Sequence, residues 1–293
     1  MGKINLLLLR YQIKYKELEL LNNKIRIIND RTIMKKIGIG LLIIYCFVLS
    51  AKAQTTNNGT DTLNCPIISF NFAPWIAQGA MNDMFSQPML DFGVSAIYKT
   101  KNNLVFGIEG SFFFGDDNLK NREERLQSLY TEAGTIIGTG GTDAGVEAYN
   151  RGLVGMLQIG KIIPVIKNNP NSGIMLMFGA GIAQNQIIYT PWMEEAPQIS
   201  DDYMKLYDHQ QRGAVISERI GFWYMNNKKN YLNFHVSFEF TQMWLKSTRS
   251  YIIDDYMGIR GKDNNKYFSH IYGIKIGWMI PLEGKTTQEY YYY

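Results

Sequence analysis

Beyond about residue 65 the chain alternates apolar and polar or small positions with period 2, the signature of a strand with two different faces. The alternation predicts eight strands, at Ile67–Gln78, Met89–Tyr98, Leu104–Phe114, Leu153–Ile163, Gly173–Ile188, Gly213–Tyr224, Tyr231–Met243 and Tyr267–Ile280. Each is about ten residues or longer. The segments between them alternate in length. Lys99–Asn103, Lys167–Ser172 and Asn226–Asn230 are short and rich in Asn and Lys, as turns are. Gly79–Pro88, Gly115–Gly152, Tyr189–Arg212 and Leu245–Lys266 are longer.

A two-sheet sandwich can also be built from eight strands, but it needs neither such long strands nor all long loops at one end. A transmembrane barrel needs both: tilted strands of about 9 to 11 residues, short periplasmic turns and longer extracellular loops. The expected fold is therefore all-β, a closed antiparallel eight-stranded transmembrane barrel over residues 65–282.

The faces sharpen that expectation. Leu90, Phe92, Val94, Ala96 and Tyr98 share one face of the second strand, against Asp91, Gly93 and Ser95. Phe106, Ile108, Phe112 and Phe114 oppose Gly107, Glu109 and Ser111 in the third, and Tyr272, Ile274, Ile276 and Trp278 oppose Gly273, Lys275 and Gly277 in the last. Lipid takes large apolar side chains, whereas a narrow lumen takes small ones and a few paired polar ones. Closure also satisfies every backbone amide, which a bilayer demands. Trp75, Tyr98, Tyr189, Trp192, Tyr224, Trp244 and Trp278 fall near strand ends, where amphipathic rings form interfacial girdles.

Ahead of the strands, Met34 begins MKKIGIGLLIIYCFVLSAKAQ. Lys35 and Lys36 make a positive n-region, Ile37–Leu49 an apolar core of 13 residues, and Ala51-Lys52-Ala53 a small-residue cleavage site. That run is shorter than the roughly 20 residues of a spanning helix. Residues 34–53 read as a secretory signal peptide cut between Ala53 and Gln54, residues 1–33 as an upstream extension of the reading frame, and 54–64 as a periplasmic linker. The first 53 residues hold 10 of the 30 Lys and Arg and 3 of the 26 acids, leaving 20 against 23. A net charge near −3 gives no reason to expect nucleic acid. Cys65 stands alone beyond the leader, so no intrachain disulfide is expected.

These features resemble the eight-stranded outer-membrane barrels of the Bacteroidota, PorT-like and OmpX-like proteins. The resemblance covers about Cys65 to Tyr293 and rests on the leader, the eight strands, the last strand IYGIKIGWMIP and the aromatic tail EYYYY at Glu289–Tyr293. It implies residence in the cell outer membrane among lipid and lipopolysaccharide, a monomeric barrel, and a structural or accessory role in export or surface assembly. An envelope protein partner would be reached through the outer loops or the tail, residues 283–293. The tail departs from the family pattern, because Pro281 ends the strand before the tyrosines; it is either a displaced assembly signal or a periplasmic binding segment.

Three chemical candidates remain. His235 and Ser237, with Glu239 beside them, resemble the His-x-Ser of outer-membrane lipid A deacylases, which would make the chain a lipid-modifying hydrolase with a serine nucleophile. The phases of Phe234, Val236, Phe238 and Phe240 put these apolar residues on the lipid side, so that His235, Ser237 and Glu239 join Glu109 and Lys275 in a polar lumen network, with no catalytic residue assigned. GTGGTDAG at Gly138–Gly145 lacks the Lys-Ser/Thr of a phosphate loop. A weakly amphipathic helix is expected at Asp117–Ala133. Acid pairs at Asp116–Asp117, Glu194–Glu195, Asp201–Asp202 and Asp254–Asp255 suit either divalent cations or solvent. No metal or other cofactor is expected, and neither His209 nor His270 has neighbours at zinc-ligand spacing.

Overall fold

The computed structural model describes residues 62–226 and 232–282. Eight long strands form the wall: β1 (Cys65–Gly79), β2 (Met89–Lys99), β3 (Leu104–Gly115), β4 (Val146–Pro164), β5 (Gly173–Pro191), β6 (Gln211–Tyr224), β7 (Phe234–Ser247) and, after a small hairpin of β8 (Ile252–Asp254) and β9 (Ile259–Gly261), β10 (Lys266–Pro281). Sequential neighbours pair antiparallel from β1 to β7, β7 pairs with β10, and β10 pairs with β1, so the sheet closes into a barrel. Each expected strand is present, most with ends moved outward by a few residues. The largest extension is in β4, which begins seven residues before Leu153.

That extension has a physical reading. At 19 residues each, β4 and β5 rise about 60 Å along the strand, well beyond the ~25 Å band a tilted strand must cross. Their outer ends, Val146–Tyr149 against Ile188–Pro191, pair with each other beyond the last residues that face β3 and β6. They form a ribbon that supports the long loops.

The outer wall is apolar. Phe70, Phe92, Phe106, Ile108, Leu157, Ile182, Ile220, Phe238, Ile274 and Ile276 are exposed, with Leu157 at 69% and Ile182 at 66%. Soluble monomers rarely show apolar patches beyond a few hundred Å². A closed ladder with an apolar belt and its polar side chains inside is the solution a bilayer imposes, so the chain is a transmembrane barrel of the outer-membrane kind.

Inside, the lumen side chains fall into three levels. Toward the short turns lie Cys65, Ile67, Ile97, Val105, Ile162, Met175, Met177, Trp223, Met225 and Met279. Toward the long loops lies a larger apolar cluster that includes Trp75, Met89, Phe113, Met156, Ile187, Tyr189, Met243 and Ile271. Buried polar and charged side chains fill the level between. Glycine makes room for them: a Cβ on Gly277 would strike His235 and Asn71, and one on Gly152 would strike the ring of Phe113.

Two of the expected girdle residues point into the lumen. Trp75 is 2% exposed and Tyr189 1%, because their phases follow Ala73 and Ile187 into the lumen. Position near a strand end had suggested an interfacial ring; two-residue phase decides the face. Tyr98, Trp244 and Trp278 face outward and pack against Phe106, Phe268 and Phe70, and Tyr224, half-buried, packs against Phe234. Trp192 lies just past the end of β5, exposed in the outer loop. The helix expected at Asp117–Ala133 is also reduced to one turn at Arg122–Arg125 and a 3-10 turn at Gln127–Leu129. Asn121 precedes it at φ 55 without a side-chain cap, and Ser128 N–H is taken by Asp255, which leaves a helix too short to sustain itself. Residues 1–61, with Ala53 and Gln54, residues 227–231, which include the expected strand start at Tyr231 and most of the expected turn, and the tail 283–293 lie outside the described residues.

Candidate functional site

Alternation aims Glu109 of β3, His235, Ser237 and Glu239 of β7, and Lys275 of β10 into the lumen, where all are nearly completely buried. Register brings Lys275 opposite Ser237 and Gly273 opposite Glu239. Lys275 Nζ then lies 2.7 Å from Glu109 Oε1 and 2.9 Å from Glu239 Oε1, bridging opposite sides of the barrel. Asp91 Oδ2 approaches the same ammonium at 3.5 Å. Arg219 of β6 adds a second cation, 3.1 Å from Glu109 Oε2 and 3.9 Å from Glu239 Oε1. Three carboxylates thus face two cations in a space closed by apolar layers above and below. Charges so placed must be paired and hydrogen-bonded to persist.

Neutral side chains complete the layer. Ser95 Oγ donates to Glu109 at 3.1 Å and Gln158 donates to the same carboxylate. Ser217 Oγ and Trp75 Nε1 donate to Glu239 at 3.0 and 3.2 Å. Asn71 Nδ2 donates to Ser95 Oγ at 2.7 Å, and Asn71 Oδ1 lies 3.2 Å from His235 Nε2. His235 also stacks on Trp223, with ring centroids 6.0 Å apart.

Ser237 stands apart from this network: its Oγ donates to the Lys275 backbone oxygen at 3.4 Å. Among the described residues His235 and Ser237 are not hydrogen-bonded to each other. The serine therefore lacks the base contact that activates a nucleophile, and no lipid on the outer wall reaches it.

Sequence reasoning missed Arg219, Gln158 and Asn71, and put Asp91 on the polar face of its strand without joining it to the network. Each was available from phase: Arg219 lies two residues from Ser217 and Gly221, and Asn71 two from Ser69 and Ala73, on faces otherwise small.

A second polar cluster locks the long loops over the outer mouth. The short helix α1 (Ala80–Met84) buries Met81 and Met84 and receives a hydrogen bond partner from the wall, Met81 N–H to Ser269 Oγ at 3.0 Å. Above it Arg125 pairs with buried Asp254, and His209 Nε2 lies 2.8 Å from the same carboxylate. Arg249 Nε donates to Asp208 at 2.9 Å, and Ile253 N–H donates to Leu206 O at 2.7 Å. Burial alone would push the Asp254 carboxyl up, but the His209 hydrogen bond and the Arg125 charge outweigh it and hold it below its ordinary value. Most of the acid pairs read from the sequence are spent locally in this way: Asp116 on Arg151, Asp117 on Arg122, Asp202 on Lys205, Asp255 on Arg260, and Glu194 on the amides of Gly140 and Thr142.

No family model and no curated protein matches the sequence. Solved structures with a similar outline include the attachment invasion locus protein of Yersinia pestis, crystallised with the heparin analogue sucrose octasulfate, at 9% identity and a TM-score of 0.39 over 74% of this chain and 99% of that one. Neisserial surface protein A follows at 11% and 0.37, over 73% and 96%. The outer membrane protein OprG of Pseudomonas aeruginosa stands at 11% and 0.29, over 75% and 98%. The chain's own closed ladder, rather than these likenesses, establishes the fold.

Proposed function

We propose that the protein is a non-enzymatic outer-membrane barrel that acts through its folded extracellular cap, in an accessory role in protein export or surface assembly. The packing of the lumen is the observation that carries this reading. Buried apolar clusters lie on either side of an ionic layer, as the narrow interior of an eight-stranded barrel favours, and this turns attention from a pore to the outer loops. Long loops are where function concentrates when the scaffold is rigid, and here they are ordered by buried ion pairs and present Trp192, Tyr203, Tyr251 and Tyr256 to the outside. The PorT-like resemblance of the sequence supports a partner in the envelope, and a monomeric barrel among lipopolysaccharide.

The buried placement of Ser237 disfavours the lipid A hydrolase. The test has two arms. A photocrosslinking amino acid at Tyr203 or Tyr256 in living cells is expected to give an adduct of defined mass; no adduct at any cap position would overturn the accessory role. Ser237→Ala is expected to leave the acylation pattern of lipid A unchanged, and a changed pattern would restore the hydrolase.

A further inference from the structure

Most cations on the side of the long loops have an acidic partner. Arg122, Arg125, Arg151, Lys205, Arg249 and Arg260 are each paired with an aspartate. Arg212, Lys246 and Lys266 differ. Register sets Arg212 of β6 opposite Lys246 of β7, and Lys246 opposite Lys266 of β10. All three are exposed and in phase with outward-facing Ala214, Trp244 and Phe268. Facing residues in an antiparallel pair have Cα atoms about 5 Å apart, so the backbones of three cationic residues stand within roughly 10 Å on one wall.

Such a row is unfavourable by itself, because like charges directly opposite destabilise a ladder. Among the described residues none of the three belongs to an ion pair. The partner the row does have is neutral: Gln184 Oε1 accepts from Arg212 Nη2 at 2.6 Å and from Nε at 3.2 Å. Gln186, Gln210 and Thr248 continue a hydrogen-bonding rim beside it, with Gln210 Nε2 on Gln186 at 3.0 Å and Thr248 Oγ1 on Gln210 at 2.9 Å.

Height supplies the ligand class. One two-residue step toward the membrane lie Trp244 and Phe268, packed at 5.4 Å; the next step holds Ile216 beside half-buried Gln242 and His270, and below them the apolar belt resumes at Phe240 and Tyr272. The row therefore sits where the apolar wall gives way to the headgroup region on the side of the long loops. An anion held there is a phosphate carried on a lipid whose chains lie along the belt.

We propose that Arg212, Lys246 and Lys266 form a binding site for the phosphates of a lipid A-type glycolipid in the outer leaflet, with Trp244 and Phe268 against its acyl chains. The site rests on the membrane reading of the barrel and names the lipid that borders it.

The experiment uses the full chain folded into phosphatidylcholine vesicles and titrated with bisphosphorylated lipid A, with the same lipid stripped of phosphate, and with inorganic pyrophosphate. Heat-modifiable migration checks each protein for folding, and a wild-type chain that shows none would count against the barrel itself rather than the site. Wild type is expected to prefer the bisphosphorylated lipid by on the order of a hundredfold at low salt, about fivefold for each cation, with the preference shrinking as salt is raised. The triple variant Arg212→Gln, Lys246→Gln, Lys266→Gln should migrate as folded and lose the preference. If it does not fold, each single variant should lower the preference about fivefold. Equal binding of the stripped lipid, or a preference untouched by the substitutions, overturns the site. Pyrophosphate binding as tightly as the lipid overturns its assignment to a membrane ligand.

Discussion

Replacing Lys275 by methionine tests the ionic layer at its centre. The ammonium is buried, with Glu109, Glu239 and Asp91 oxygens at 2.7, 2.9 and 3.5 Å. Methionine keeps much of the length of the side chain and removes the charge, so that three carboxylates face Arg219 alone. Breaking a buried pair by deleting one partner costs about 3–5 kcal/mol. Arg219 still covers Glu109 at 3.1 Å, and Glu239 keeps the hydrogen bonds from Ser217 and Trp75, which puts the expected loss toward the lower end, about 3–4 kcal/mol. Urea unfolding in lipid vesicles, followed by tryptophan fluorescence, should show the midpoint falling by roughly 1–3 M. Adding Glu239→Gln returns the formal charge of the layer to its original value and is expected to recover half or more of the loss. A Lys275→Met protein within about 1 kcal/mol of wild type would refute the claim that this lysine holds the layer together.

Other substitutions probe the wall and the cap. Glu218 faces outward in the middle of the apolar run of β6, flanked across the ladder by Phe178 and Phe240, and its buried Oε2 has no hydrogen-bond partner among the described residues. Glu218→Leu is therefore expected to raise stability in vesicles by about 1–3 kcal/mol, and a loss of stability would mean that the carboxyl is held by something outside the barrel. Asp254 has a folded pKa below its ordinary 3.8, so its contribution is fully present above that value and is lost as the pH falls through the lower, folded one. Limited proteolysis of the loops should accelerate only in that acid window, and Asp254→Asn should give fast cleavage at neutral pH; identical cleavage of the two proteins would count against the cap. Gly152→Ala drives a methyl into the Phe113 ring and is expected to cost about 1–3 kcal/mol, read from the same urea titration.

The fold was legible because its two signals are periodic and independent. Alternation located β2, β3 and β10 and assigned their faces, and the alternating loop lengths placed the short turns at one end of the barrel and the long loops at the other. Long-range pairing was not legible in the same way. His235 and Ser237 look adjacent in sequence, yet register hands His235 to Asn71 on β1 and Ser237 to the backbone of β10. Arg219 was hidden because an isolated arginine beside Glu218 reads as surface charge until phase separates them, one to the lumen and one to the lipid. Trp75 and Tyr189 erred for the converse reason, since an aromatic near a strand end signals an interface only when its phase points outward. In the loops no periodicity guides the reading, and contacts far apart in sequence, such as Arg125 with Asp254, determine the structure.

The central claim is that the barrel is closed and its lumen filled, so that the protein works through its surfaces. Single-channel recording of the folded full chain in a planar bilayer tests it most directly, with heat-modifiable migration confirming that the protein is folded. The expected trace stays at baseline at moderate voltage, for wild type and for Ser237→Ala alike. Steady, reproducible conductance steps from the wild-type protein would contradict the three-layer lumen and, with it, the assignment of function to the outer loops.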